Sequence, residues 1–334
     1  MPNTQFNDNL LEVKNLQTHF HTRRGVGKVL DGLNLSIKRG QIIGLVGETG
    51  AGKSVTGFSI MQMVRKPGRI VGGEILLNGR DLLALSEEDI RNVRGTEIAM
   101  IFQDPRAALN PLLKVGQLLE QILRYRRGME SKEAHQAALN LLNLVHISDP
   151  EQRLEAYAHQ LSGGMCQRIM IAMALACQPD LLIADEPTTG LDVTIQRQII
   201  LLLKELRDQT GTTQIIVTHD LGLAAELCDA IAVMYAGDVV EFAPTEELFQ
   251  RPRHPYTIGL MRSRPLFGDR QSMITIPGSV ANFTQQPSGC PFHPRCEFAF
   301  DRCSQEKPIA FNVGADHTSQ CWLLDDVAES GDAV

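Results

Sequence analysis

An α/β fold, with a sheet covered on both faces by helices, is predicted by three observations. Short apolar runs of strand length recur along the chain, each followed by a turn or a helix. A mainly helical stretch interrupts them between about residues 86 and 179. After residue 264 the chain turns rich in Pro, Gly and Cys and loses its periodicity.

Taken in order, residues 1–9 are polar and lack the basic-then-apolar layout of a signal peptide. Residues 11–16 and 33–37 alternate apolar and polar, which predicts antiparallel strands and an antiparallel β subdomain. Buried strands are expected at 42–47, 98–102, 181–187, 214–220 and 231–237, and a helix at 55–63. Within the helical stretch, Val115–Arg127, 131–145 and 165–177 carry apolar residues at three- and four-residue spacing. The expected layout is a main domain over 10–264, with its helical subdomain at about 86–179. A small Cys-rich module follows over 265–324, and an acidic disordered tail over 325–334. The Cys-rich module is expected to fold apart from the rest, so that changes in it leave ligand binding in the main domain intact.

The 32 basic and 39 acidic residues give a net charge of −7, which argues against nucleic acid as the main partner. No apolar run approaches the roughly 20 residues needed to span a bilayer, so the chain is expected on the cytoplasmic side. Of the seven cysteines, Cys290, Cys296, Cys303 and Cys321 crowd into the last fifth of the chain. In a reducing compartment such a cluster points to a metal site rather than disulfides.

The sharpest motif is Gly47-Glu48-Thr49-Gly50-Ala51-Gly52-Lys53-Ser54, which fits G-x-x-x-x-G-K-[ST] and is followed by Val55. It lies after a buried strand and before a helix, the setting a phosphate-binding loop requires. Its glycines let successive N–H groups turn inward as a nest for anionic oxygens, and the helix adds its positive end. Lys53 is placed to reach the β- and γ-phosphates, and Ser54 to ligate Mg²⁺.

A second motif, Leu181 to Pro187, is an apolar strand ending in Asp185 and Glu186. Alone it reads equally well as a strand that ends in solvated acids. Beside a phosphate loop, Asp185 suits Mg²⁺, directly or through water, and Glu186 suits the general base that polarises an attacking water. Gln103 and His219 each follow an apolar strand, and ligands gather at such strand ends in open α/β sheets.

Leu161-Ser162-Gly163-Gly164-Met165 precedes an amphipathic helix. Ser162 suits an N-cap, and the glycines would let backbone N–H groups approach an anion. Here the chain resembles the ATP-binding cassette family, whose hallmark is LSGGQ. The motif order also agrees: phosphate loop, Gln103, LSGGM, LLIADEP, Gly190-Leu191-Asp192, then His219. The resemblance covers about residues 10–264. It implies a P-loop NTPase core in which ATP and Mg²⁺ are sandwiched between Lys53 of one subunit and the signature serine of its partner, the part that Ser162 plays in this chain. It places Asp192 at the dimer seam, His219 and Gln103 near the γ-phosphate and Mg²⁺, and an aromatic under the adenine. Phe20 is the best match for that aromatic, with flat His19 beside it. Met165 replaces the usual glutamine, and Cys166 stands where relatives often have a basic or polar residue.

Three further features narrow the resemblance: residues 101–111 (IFQDPRAALNP), Arg253-His254-Pro255-Tyr256-Thr257, and Gly289 to Cys296. Together they are similar to the D-type ATPase subunits of bacterial dipeptide and oligopeptide importers. That likeness implies a second, paralogous ATPase, two membrane permeases, an extracytoplasmic solute-binding protein and a peripheral place on the cytoplasmic face of the inner membrane. Nickel, opine and some sugar importers share the architecture. A cytosolic cassette protein acting on DNA or ribosomes is the reading from another class. It sits badly with a single cassette and the acidic charge. A small-molecule kinase gives no reason for LSGGM. The spacing C-x₅-C-x₆-C-x₁₇-C lacks the close pairs usual for zinc. With the resemblance it favours a [4Fe–4S] cluster on Cys290, Cys296, Cys303 and Cys321, with Zn²⁺ or free structural thiols as the alternatives.

Overall fold

The computed structural model describes residues 8–23, 25–263 and 276–325, which form two compact units. One unit is built on Ala84–Val217 with Lys38–Gln41. The other holds Leu11–Ile37, Ile42–Leu83 and the chain from Thr218 onward.

The first unit carries three parallel strands, Ile98–Ile101, Leu181–Asp185 and Thr213–Thr218, in register Ile98 to Leu181 and Leu181 to Thr213. Every residue of all three is buried, which is why their centres read as continuous apolar runs rather than as alternation, with polar residues only at the strand ends. The expected helical stretch is present, as Glu87–Val93, Val115–Arg127, Ser131–Leu144, Pro150–Leu154 and Gly163–Leu175. Val115–Arg127 shows how such a helix is specified. It buries Val115, Leu118, Leu119 and Leu123 on one face, places Arg124, Arg126 and Arg127 at its negative end, and stops at left-handed Gly128.

In the second unit, Ile42–Val46 pairs in parallel with Ala230–Tyr235, which pairs antiparallel with Asp238–Pro244. A separate sheet joins Gly25–Lys38, Asn9–Thr22, Gly68–Leu77 and Arg80–Asp81, with Leu11 opposite Leu77. This is the expected antiparallel subdomain, with strands much longer than their alternating segments. Among the described residues no helix is long and apolar enough to cross a membrane.

The expected start of the Cys-rich module, and the acidic tail apart from Asp325, fall on 264–275 and 326–334, outside the described residues. Residues 276–325 differ from the expectation. They belong to the second unit, where His317–Ser319 pairs with Asp238–Pro244 and with Phe311–Gly314. Cys303, Cys321, Phe311, Trp322 and Leu324 form an apolar cluster, with Cys290 packed against it. Hydrophobic contact and strand pairing organise this segment.

The join is reinforced by one buried carboxylate. Glu241 accepts the backbone N–H groups of Arg253 at 2.6 Å and His254 at 3.0 Å, and its Oε1 lies 2.9 Å from His317 Nε2. Glu241 and His317 are both fully buried, so truncation orphans two amide donors and an imidazole. Glu241→Ala should therefore cost about 3–5 kcal/mol, read as a lowered urea midpoint of the full chain. A shift below about 1 kcal/mol would mean that water reaches these donors.

Candidate active site

The phosphate loop lies in the second unit. Gly47 has φ 158, and a Cβ there would collide with the Met234 carbonyl oxygen, so only glycine fits. Helix Lys53–Ile60 follows, starting two residues before its expected bound. Lys53 is 5% exposed, and its Nζ donates to the carbonyl oxygens of Gly47 at 2.7 Å and Glu48 at 3.0 Å. Its ammonium is thus held inside the loop's curve. Ser54 and Val55, half-buried, open the helix beside it.

Phe20 is half-buried in strand Asn9–Thr22, and its ring lies where a Cβ on Gly68 would be. Strand alternation puts Phe20 on the same face as Thr18, whose hydroxyl bonds Ser59 of the loop helix at 2.9 Å. His19 faces the other way, with Nε2 3.6 Å from the Asp31 carboxylate. The geometry therefore favours Phe20 over His19 as the ring on the loop's side. His219 is exposed, between strand Thr213–Thr218 and helix Leu221–Leu227, which Asp220 caps.

The first unit holds the acidic and signature residues. Asp185 ends its strand at 4% exposure. Glu186 follows with φ +46, a left-handed conformation costly for a residue with a Cβ, and its N–H donates to the Val217 carbonyl at 2.9 Å. Its Oε2 accepts Gln103 Nε2 at 3.0 Å and Thr189 Oγ1 at 2.8 Å. Strain and two donors thus aim one carboxylate, as a general base requires. Gln103 was expected from its place after a strand. Thr189 was missed, and nothing in the sequence marks it beyond its position three residues on.

Ser162 caps helix Gly163–Leu175 by accepting the Met165 N–H at 3.2 Å, as expected. Gly164 has a packing role that the sequence did not suggest: a Cβ there would lie 2.8 Å from Ile195 Cγ2. Ile195 belongs to helix Val193–Thr210, which Asp192 caps by accepting the Ile195 N–H at 3.0 Å. The signature and the Asp192 turn are therefore one packed body. Cys166 is buried, with its thiol 3.4 Å from the Ala158 carbonyl.

Cys290, Cys296, Cys303 and Cys321 line one small cavity with Phe292 and Trp322. Burial raises the Cys290 and Cys296 thiols, and burial together with the other three thiols pushes Cys321 up to about 11. Among the described residues, no group of three or more His, Cys, Asp or Glu side chains is arranged to hold a metal ion. The expected ligands are therefore brought together without ligand geometry.

The expected independence of this segment from the phosphate loop is not met. Tyr256 OH accepts the Glu48 N–H at 2.9 Å, and Arg295 bonds the Glu48 carboxylate. Burial pushes His254 down to about 4, so its neutral Nδ1 accepts the Tyr256 N–H at 3.0 Å and caps helix Pro255–Arg262. Tyr256 and Arg295 lie in motifs whose spacing assigns them no role, because their partner lies more than 200 residues away along the chain.

The family described as "ABC transporter" matches residues 30–189, and "Oligopeptide/dipeptide transporter, C-terminal region" matches 240–303. The chain is 47% identical to a probable peptide ABC transporter ATP-binding protein, y4tR, of Sinorhizobium fredii, over 96% of each chain. It is also 47% identical to the dipeptide transport ATP-binding protein DppD of Escherichia coli, over 95% of this chain and 98% of that one. Among solved structures it resembles the ATP-binding cassette MJ0796, a dimer bound to ADP and Pi, at 29% identity. The TM-score is 0.64, over 70% of this chain and 98% of that one.

Gly164→Ala should lower the stability of the full chain by roughly 1–3 kcal/mol through overpacking. Adding Ile195→Ala should bring the urea midpoint back above that of the single variant. Simple additivity of the two losses would show that the contact at 2.8 Å is not the cause.

Proposed function

The chain belongs to the ATP-binding cassette transporter family, and we propose that it is the ATP-hydrolysing subunit of a peptide importer. The observation that carries the catalytic part is the strained Glu186 carboxylate held by Gln103 and Thr189. The match of 240–303 to a peptide-transporter C-terminal region, with the peptide-transport names of the relatives, supports the substrate class. Nickel, opine and sugar importers are the alternatives.

MgATP is the substrate. Lys53 and backbone N–H groups of the loop hold the β- and γ-phosphates, and Ser54, Asp185 and Gln103 would be the protein ligands of the Mg²⁺ that ATP brings. Phe20 stacks on adenine. Glu186 accepts a proton from water as the water oxygen bonds to the γ-phosphorus and the bond to the β-phosphate oxygen breaks, giving ADP and inorganic phosphate. His219 contacts the γ-phosphate. The signature loop of a second, paralogous ATPase closes this site, Ser162, Gly163 and Gly164 of this chain close that partner's site in turn, and Asp192 lies at the seam. The dimeric state of MJ0796 and the 80% exposure of apolar Val193 beside Asp192 support that composite arrangement. Two permeases and a solute-binding protein complete the importer, with this chain docked at the cytoplasmic face of the inner membrane.

The tail carries a second part of the reading. Cys290, Cys296, Cys303 and Cys321 supply four soft donors around one cavity, a donor set suited to a [4Fe–4S] cluster, with zinc as the alternative. There it would act as a structural staple. Anaerobically purified protein should be brown and carry close to four iron atoms, a number set by the cluster type. One zinc and no iron would replace the cluster, and no metal at all would leave the thiols as core residues.

Glu186→Gln should bind ATP normally and lose roughly 10²- to 10⁴-fold in hydrolysis by the assembled importer. Near-normal turnover would put the base elsewhere. The isolated chain should be a poor ATPase, with activity rising sharply when the paired ATPase and permeases are added. Full-rate hydrolysis by a dilute monomer would refute the composite site. Uptake of labelled dipeptides that stops in the Glu186→Gln strain supports peptide import. Nickel or sugar uptake stopping instead would reassign the solute.

A further inference from the structure

Glu48 is the first residue after the opening glycine of the phosphate loop, and it is gripped by chain more than 200 residues away. Arg295 spans its carboxylate with both terminal nitrogens, Nη1 to Oε2 at 2.7 Å and Nη2 to Oε1 at 3.0 Å. Such a fork fixes direction as well as distance. The Arg295 side chain is only 5% exposed. Its Nε donates to the Pro277 carbonyl at 2.7 Å, and its guanidinium lies 5.7 Å from the centre of the Tyr235 ring. Tyr235 packs on Tyr256 and Phe292, and Tyr256 OH takes the Glu48 N–H. Glu48 is therefore held by both its amide and its carboxylate.

The pair also has an electrostatic consequence. A loop that binds a triphosphate is a poor place for an uncompensated carboxylate, because like charges repel strongly where water is partly excluded. Arg295 cancels that charge. The Glu48 bond in turn raises the guanidinium above its ordinary value, against the burial that lowers it. On its other side Arg295 ends the short turn His293–Arg295 and precedes Cys296. The His293 N–H in that turn bonds the Cys290 carbonyl at 3.0 Å. One side chain thus links the cysteine segment to the phosphate loop.

We propose that Arg295 is a positioning residue for the ATP site, acting through Glu48 to hold the phosphate loop's shape and to neutralise its one carboxylate. Nucleotide affinity then depends on the integrity of the C-terminal segment. The proposal rests on the reading of Gly47 to Ser54 as the ATP-binding loop, and Lys53→Ala tests that reading separately.

The experiment measures MgATP and adenosine binding to the full chain, and KM and kcat in the assembled importer. Arg295→Met should weaken MgATP binding roughly tenfold, equivalent to about 1.4 kcal/mol, and leave adenosine binding unchanged. KM should rise with kcat largely kept, whereas a variant that merely misfolds in part would lower kcat at constant KM. Arg295→Lys, which keeps the cation and loses the fork, should fall between, and it serves where Arg295→Met does not fold. Adding Glu48→Gln to Arg295→Met should recover most of the MgATP affinity by removing the stranded charge. Binding within twofold of the unmodified chain in both Arg295 variants would overturn the proposal, as would a double variant no better than Arg295→Met. If Lys53→Ala also bound MgATP normally, the assignment of the ATP site would fail instead.

Discussion

A phosphate-binding loop has to turn successive backbone N–H groups toward one point while carrying almost no side-chain bulk to keep it there. Three glycines among the eight residues from Gly47 to Ser54 make that curl possible and also make it expensive to order. The surrounding structure supplies the order. The Lys53 ammonium ties back to two loop carbonyls, and the Gly237 N–H bonds the Ala51 carbonyl at 2.9 Å. Tyr256 and Arg295 hold Glu48 by its amide and its carboxylate. The loop is stiff because its neighbours are.

The same division of labour recurs at the carboxylate proposed as the general base. Glu186 sits in a backbone conformation that costs of order 1–3 kcal/mol, and such strain persists only where neighbours over-determine it. Here the Val217 carbonyl fixes its amide, while Gln103 and Thr189 fix its side chain. Aiming the carboxylate before substrate arrives spares the reaction that reorganisation. The signature helix follows a related rule, since Gly164 is small because Ile195 needs the space.

The C-terminal segment combines two roles that its composition kept apart. Its cysteines gather around one cavity, and its Arg295 reaches the phosphate loop. Glu241 and His317 stitch its strands to the cassette through groups shielded from water. A segment without helical or strand periodicity is thus held by specific polar pairs and a small aromatic cluster.

Much of the site was legible in the sequence because its information is local. The phosphate loop, the Ser162 cap, and the strand ending in Asp185 and Glu186 depend on backbone geometry within a few residues, which spacing and residue type encode. The buried strands were legible too, since full burial leaves a continuous apolar centre such as Ile215–Val217. What only the tertiary structure decided are the pairings between distant residues: Glu48 with Arg295, Glu241 with His317, Gln103 with Glu186, Gly164 with Ile195. The C-terminal segment was expected to stand apart because composition changes at its start, yet it is joined by strand pairing and an ion pair. Neither interaction leaves a periodic trace, because a hydrogen bond depends on where two groups meet in space and not on how far apart they lie along the chain.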